Sequence, residues 1–223
     1  MKNLLIIALA AISFVACQQK DYTINGTVEG VLNGQAILHT LENGRPAPKD
    51  TAVITDGKFT FTGSEKDAQL YLIFIDTYRA PIIFFGENAD ITIAADVKEL
   101  NKATITGSKN TDIYNSFIEA IPSQVRLDEV KREYQQAMSS GNQEAVDAIR
   151  TEVDEIMEEQ KEYFLQFIKN NTNNVVAAHW AIQAASEFNL EEYKSLVTAF
   201  ETDLGTHKYV TTLNDILEQK KKE

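Results

Sequence analysis

Between Tyr22 and Thr106 apolar and polar residues alternate with a period of two. Turn residues break the alternation about every 8 to 12 positions, the spacing of short strands in an all-β sandwich. Tyr22, Ile24, Gly26 and Val28 alternate with polar neighbours, and Ala36 to Leu41 follows the hairpin-type dipeptide Asn33-Gly34. Thr51 to Ile54 and Lys58 to Thr62 flank a second such dipeptide, Asp56-Gly57. Gln69 to Ile75 and Pro81 to Phe85 are denser apolar runs, expected as central strands covered on both faces. Ile91, Ile93 and Ala103 to Thr106 close the pattern. Pro46 and Pro48 are expected in a loop, where a missing amide donor costs nothing.

From about Ser108 the period becomes helical. Leu127, Val130, Tyr134 and Ala137 step by three and four. Ser139-Ser140-Gly141 then breaks the helix, with Asn142 placed to cap the next one. Val146, Ile149, Val153, Ile156, Gln160, Tyr163 and Phe167 continue the rhythm, so the two stripes predict an antiparallel helical hairpin. An Ala-rich helix is expected over 175–185, a capping box at Asn189 to Glu192, a stop at Leu204-Gly205 and a last helix over 209–217. The chain therefore reads as α+β. An N-terminal antiparallel β-sandwich over 22–107 is followed by a C-terminal α-helical bundle over 108–223 that includes a long helical hairpin.

The first residues follow neither pattern. Lys2 precedes an unbroken apolar or small run from Leu4 to Ala16. As a helix this run measures roughly 20 Å, too short for a hydrocarbon core about 30 Å thick, so it reads as a secretory signal. Phe14-Val15-Ala16-Cys17 resembles a bacterial lipobox, with Phe14 where Leu is usual. Residues 1–16 are expected to be a lipoprotein signal peptide, Cys17 the lipidated residue and 17–21 a tether. No Asp follows Cys17 directly, which favours the outer membrane. Gln18 to Asp21 reads as a polar spacer in preference to a surface-export signal, so the periplasmic face is expected.

Composition then removes whole classes of function. The 223 residues include 33 acids, 21 Lys and Arg, and one cysteine, for a net charge of -12. That balance opposes electrostatic binding to nucleic acid or to an anionic membrane surface. A lone cysteine excludes an intrachain disulfide framework, a C-x-x-C pair and a cysteine-built zinc site. Residues 108–223 hold 21 of the acids against 12 bases, so acidity is concentrated in the helices.

No candidate chemistry emerges strongly. His39 is expected at a strand rim, turned away from Ile37; His179 is expected to be packed in the Ala-rich helix, and His207 to stand in the first turn of the last helix. None has a partner at recognised metal spacing, and neither a G-x-S-x-G nor a phosphate-cradling glycine loop is present. Asp154, Glu155, Glu158, Glu159 and Glu162 stack carboxylates along one helix. A solvated face is the expected reading, with a hydrolase or a calcium site the alternatives. Tyr78-Arg79 is expected in a loop with a core or rim role. Asp50-Thr51-Ala52 resembles the short acceptor motif for O-linked glycans in Bacteroidetes, making Thr51 a candidate. No catalytic residue, cofactor or metal is assigned.

Taken together, Tyr22 to Val28, Asn33 to Leu38, Asp50 to Ala52 and Asp56-Gly57-Lys58-Phe59-Thr60-Phe61 with Gly63 resemble the β domain called domain of unknown function 4369. In that family the domain opens Bacteroidetes lipoproteins and is followed by helices and a thioredoxin-like domain. Here the sequence ends at Glu223, where such a domain would begin, and Cys17 is the only cysteine. Thiol chemistry needs a free cysteine, so the resemblance implies location and architecture but no redox residue. The expected function is a non-enzymatic outer-membrane lipoprotein that binds or scaffolds an envelope protein, attached to the membrane through its lipid. The alternative is an accessory partner of envelope thioredoxin-like thiol-disulfide oxidoreductases.

Overall fold

The computed structural model describes residues 21–42, 44–76, 78–121 and 124–222, except the side chains of Gln124 and Val125. The expected signal peptide, Cys17 and nearly all of the tether lie outside the described residues.

Among the described residues the architecture is α+β: an N-terminal eight-stranded sheet precedes six α-helices. Strands β1 (Tyr22–Glu29), β2 (Asn33–Glu42), β3 (Arg45–Thr55), β4 (Lys58–Gly63), β5 (Gln69–Ile75), β6 (Ile82–Gly86), β7 (Asp90–Asp96) and β8 (Thr104–Thr106) run in the spatial order β6-β5-β2-β3-β4-β1-β7-β8. The halves on either side of β3 and β4 are joined by a single residue pair, Thr55 with Lys58, around the Asp56-Gly57 turn. Both turn residues have positive φ, as a tight hairpin requires. This hinge lets the sheet double over. Tyr22 on β1 stands four strands from Tyr71 on β5, roughly 19 Å in a flat sheet, yet their ring centroids are 6.2 Å apart. Ile24, Leu38, Ile54, Phe61, Ile73, Phe84 and Ile93 meet in the enclosed core. A sandwich-like enclosure thus forms from one hydrogen-bonded sheet.

Four details differ from the sequence reading. β1 and β7 pair in parallel, because β7 arrives from the other half of the sheet and no hairpin dictates its direction. Pro46 and Pro48 lie inside β3, opposite Leu41 and His39. Only alternate residues bond across an antiparallel ladder, so two prolines two apart can both turn their missing donor to the side where β3 has no neighbour. Asn33-Gly34 begins β2 instead of forming the turn. Gly34 leaves room for Asp76, whose carboxylate would lie 1.9 Å from any added Cβ and accepts the Gln35 N–H at 2.8 Å. His39 shares the outer face with Ile37, two residues away, and its ring packs edge-on to Phe74 at 4.9 Å.

The helices are α1 (Lys109–Glu119), α2 (Gln124–Ser140), α3 (Gln143–Asn170), α4 (Val175–Gln183), α5 (Leu190–Leu204) and α6 (Lys208–Lys220). Their ends follow local chemistry. Ser108, Asn142, Asn174 and Asn189 each accept a backbone N–H at an N-terminus, and Asn189 with Glu192 completes a capping box. Gly205, at φ 59°, closes α5. His207 is the N-cap of α6 and not a first-turn residue. The Ala-rich α4 is buried on nearly all sides, its small side chains admitting α6, α3 and α1. α2 and α3 pair antiparallel around a separate small core of Val130, Ala137, Val146, Ile149 and Ile156.

Candidate functional site

The sheet and the helices are welded where the outer face of β5 and β6 meets α1, α4 and α6. β6, expected from its apolar run as a central strand, is an edge strand, and its free backbone groups are capped by the first turn of α1. Phe85 N–H donates to Thr111 Oγ1 at 3.0 Å, and Ser108 Oγ donates to Phe85 O at 2.8 Å. One strand inward, β2 pairing stops at Tyr71, and the next amide, that of Leu70, donates to the Tyr209 hydroxyl of α6 at 2.9 Å. Burying these edge groups is tolerable only because each finds a partner. An aromatic chain runs through the same junction. Phe117 contacts Phe167 and Phe164, Trp180 stacks on Tyr114, and Phe85 touches His179, which touches Tyr209.

A polar cluster sits beside this weld. Lys49 Nζ lies 2.5 Å from Glu65 Oε1, the Tyr71 hydroxyl donates to the same oxygen, and Gln69 Nε2 donates to Oε2 at 2.9 Å. Asn88 bonds both backbone groups of Glu65, accepting at 2.7 Å and donating at 2.6 Å. Burial pushes the Glu65 carboxyl up, but bonds from Lys49, Tyr71 and Gln69 outweigh it and hold the group below its ordinary range. Burial and the Glu65 charge push Tyr71 up, so it remains a neutral donor. A carboxylate held this way is a poor proton acceptor at neutral pH. Its chemistry is to fasten the β4–β5 connection.

Next to the cluster, Lys208 Nζ donates to Gln69 Oε1. Lys208 also lines a cavity with Leu41, Gly44, His179, Ile182, Gln183, Tyr209 and Thr212. His179 is 6% exposed, and burial lowers its pKa to about 4, so the ring is neutral at pH 7. Its ring makes no hydrogen bond among the described residues. His207 also lies in the junction; its Nε2 lies 3.1 Å from Ala68 O while Nδ1 accepts the Tyr209 N–H.

A second feature is the α2–α3 arm. α3 has 28 residues, about 42 Å at 1.5 Å per residue. Its C-terminal half joins the aromatic chain, whereas its N-terminal half packs mainly on α2. One groove of about 430 Å³ on the arm is lined by Leu127, Val130, Tyr134, Ile149 and Val153. A larger one, about 720 Å³, is floored by Met157, Phe164, Leu165 and Ala184 and rimmed by Asp154, Glu158 and the Lys161–Glu187 ion pair.

Of the residues singled out from sequence, Cys17 lies outside the described region. Thr51 is exposed on β3, its N–H bonded to Asp50 Oδ1 at 2.7 Å. Tyr78 and Arg79 lie exposed in the β5–β6 loop. Asp154, Glu155, Glu158, Glu159 and Glu162 are exposed along α3, as a solvated face requires. Among the described residues no group of three or more His, Cys, Asp or Glu is placed to hold a metal ion, and no helix is long and apolar enough to cross a membrane. The Glu65 cluster and the Lys208–His179 pair had no sequence signal. Their members come from segments up to 139 positions apart, and Glu65-Lys66-Asp67 by itself reads as a charged turn.

Residues 22–114 match the family model described as Domain of unknown function (DUF4369). The match runs past β8 into α1, through the turn whose Ser108 and Thr111 cap β6. No curated protein matches the chain.

Proposed function

We propose that this chain, a DUF4369 domain joined to a helical bundle, is a non-enzymatic lipoprotein of the outer membrane that serves as a binding or scaffolding module. On this reading it is tethered through Cys17, on the periplasmic face, and offers the α2–α3 arm to an envelope protein. The arm carries the proposal. Among the described residues its core has five buried side chains, and it leaves Met138 and Met157 55% and 56% exposed. The flexible thioether of Met157, on the floor of the larger groove, suits a protein contact. The acidic rim of the larger groove favours an amphipathic helix with basic flanks as the occupant. Lipid on Cys17 would supply membrane attachment of about 0.8 kcal/mol per buried CH₂, with no basic patch needed. Thr51, exposed on β3, is the proposed acceptor of an O-linked glycan.

A second reading draws on the likeness of the β domain to the module that precedes thioredoxin-like domains. The protein held by the arm would then itself carry a C-x-x-C pair, and this chain would be its accessory subunit.

Photocrosslinking in intact envelopes tests both. A crosslinker at Met157 should trap one dominant protein that a crosslinker at Val53, 70% exposed on the sheet, does not, and Glu158→Lys should deplete it. Identification of a thioredoxin-like protein in that adduct selects the second reading. Equal adducts from both positions, or recovery unaffected by Glu158→Lys, would refute docking on the arm. Cys17→Ser should release the chain from membranes, and Thr51→Ala should remove any glycan mass.

A further inference from the structure

The cavity at the sheet–helix junction is separate from the arm and has the features of a small-ligand site. Its volume is about 330 Å³, at the small end of ligand pockets, which run about 300–1,000 Å³. It lies between the turn end of the β2–β3 hairpin and helices α4 and α6. One wall is apolar, from Leu41 and Ile182 with the ring of Tyr209. The opposite chemistry is concentrated in two side chains.

The first is Lys208. Its ammonium is partly withdrawn from water, and burial lowers its pKa. Among the described residues it makes no ion pair: its Nζ donates to the neutral Gln69 oxygen and lies 5.9 Å over the Tyr209 ring. The negative charges of Glu65, Asp67 and Glu42 act on it from a distance, but Glu65 is bonded to Lys49, Tyr71 and Gln69, and Asp67 accepts the backbone N–H of Lys208 at 3.3 Å. A half-buried ammonium with one hydrogen bond, to a neutral oxygen, retains unused N–H donors. The second is His179, 6% exposed and without a hydrogen bond among the described residues. Phe85, Trp180 and Tyr209 contact its ring but offer no oxygen or nitrogen partner. Being neutral, it keeps one N–H donor available.

We propose that this cavity binds a small organic monocarboxylate with a compact apolar body, the carboxylate on Lys208 and His179 and the apolar part against Leu41, Ile182 and Tyr209. The carboxylate would accept from the spare N–H donors of Lys208 and from the imidazole, and the ligand would bury its apolar part against the apolar wall.

Trp180, the only tryptophan, has its ring 5.3 Å from that of His179 and so reports on the site. The full chain in detergent is titrated with hexanoate and 3-phenylpropanoate, and in parallel with the corresponding amides, by Trp fluorescence and calorimetry. At least one acid is expected to saturate below about 10 mM, with its amide about tenfold weaker or worse, the loss of one charge-assisted hydrogen bond. Lys208→Met should weaken the acid by a similar factor while Lys208→Arg retains most of the affinity, and Ile182→Phe should fill the cavity and abolish binding. Met157→Glu, on the arm, should leave acid binding unchanged, so failure of the arm reading and of this one are distinguishable. No saturation by either acid in the unmodified chain would overturn the proposal, as would amides binding as well as acids. Folded Lys208→Met binding like the unmodified chain would do the same. Should Lys208→Met not fold, the acid–amide comparison in the unmodified chain still decides.

Discussion

Replacing Tyr209 with phenylalanine removes one oxygen and leaves the ring in place. That oxygen accepts the Leu70 N–H at 2.9 Å, in a contact buried on both sides. β2 cannot take over, because its ladder to β5 ends at the Thr40–Tyr71 pair. The amide would therefore be left buried and unpaired, at a cost of about 1–3 kcal/mol. For a chain of this size each kcal/mol lowers the midpoint by about 2–4 °C, so Tyr209→Phe should melt about 2–12 °C lower. Ring packing on His179 and His207, at 5.6 and 5.1 Å, is retained, so Tyr209→Leu should cost more. Scanning calorimetry measures the total, and amide hydrogen exchange locates it: Leu70 should lose protection before the inner strands do. A midpoint within about 1 °C of the unmodified chain, with Leu70 still protected, would refute the reasoning that α6 completes the β5 edge.

Other consequences follow from the same accounting of buried polar groups. The Tyr193 hydroxyl is buried with no partner, so Tyr193→Phe should be neutral or stabilising in urea titration; a loss above about 1 kcal/mol would mean the hydroxyl is bonded. His179, with its folded pKa lowered to about 4 by burial, binds its proton more weakly than the unfolded chain does. Its neutral form therefore supports full stability above pH ~6.5, and about 3 kcal/mol should drain away as pH falls from ~6.5 to ~4. His179→Gln should flatten that part of the pH–stability curve, and an unchanged slope would show that the imidazole is not desolvated. Gly34→Ala should drive the new methyl into Asp76, breaking its bond to the Gln35 N–H, with a loss of about 1–3 kcal/mol by denaturant titration. A neutral result would mean that β2 and Asp76 separate freely.

The legible parts of the fold were those written in local chemistry. Asn142 and Asn189 cap helices because a side-chain oxygen needs only the amides two or three residues ahead. The three-four rhythm of α2 and α3 gave the hairpin, and the Asp56-Gly57 turn followed from the residue types that tolerate positive φ. Helix α1 was harder to see, since among its residues only Thr111 and Phe117 are buried, too few to make a stripe. Pro46 and Pro48 read as a loop from their missing donors, because local sequence does not show that one side of β3 is unpaired there.

By itself the sequence determined the two halves, the helix ends, the acidic exposed face of α3 and the absence of a redox cysteine pair, all properties of composition or of residues within a turn of one another. Tertiary structure alone decided that the sheet doubles over at β3 and β4, that β7 joins β1 in parallel, and that Lys208 and His179 share a cavity beside Glu65. The reason is physical. Local patterns fix which face of an element is apolar, but which elements meet depends on how all the buried surfaces and unpaired backbone groups can be satisfied together. Leu70 and Tyr209, 139 residues apart and joined by one hydrogen bond, show how far apart in sequence those solutions lie.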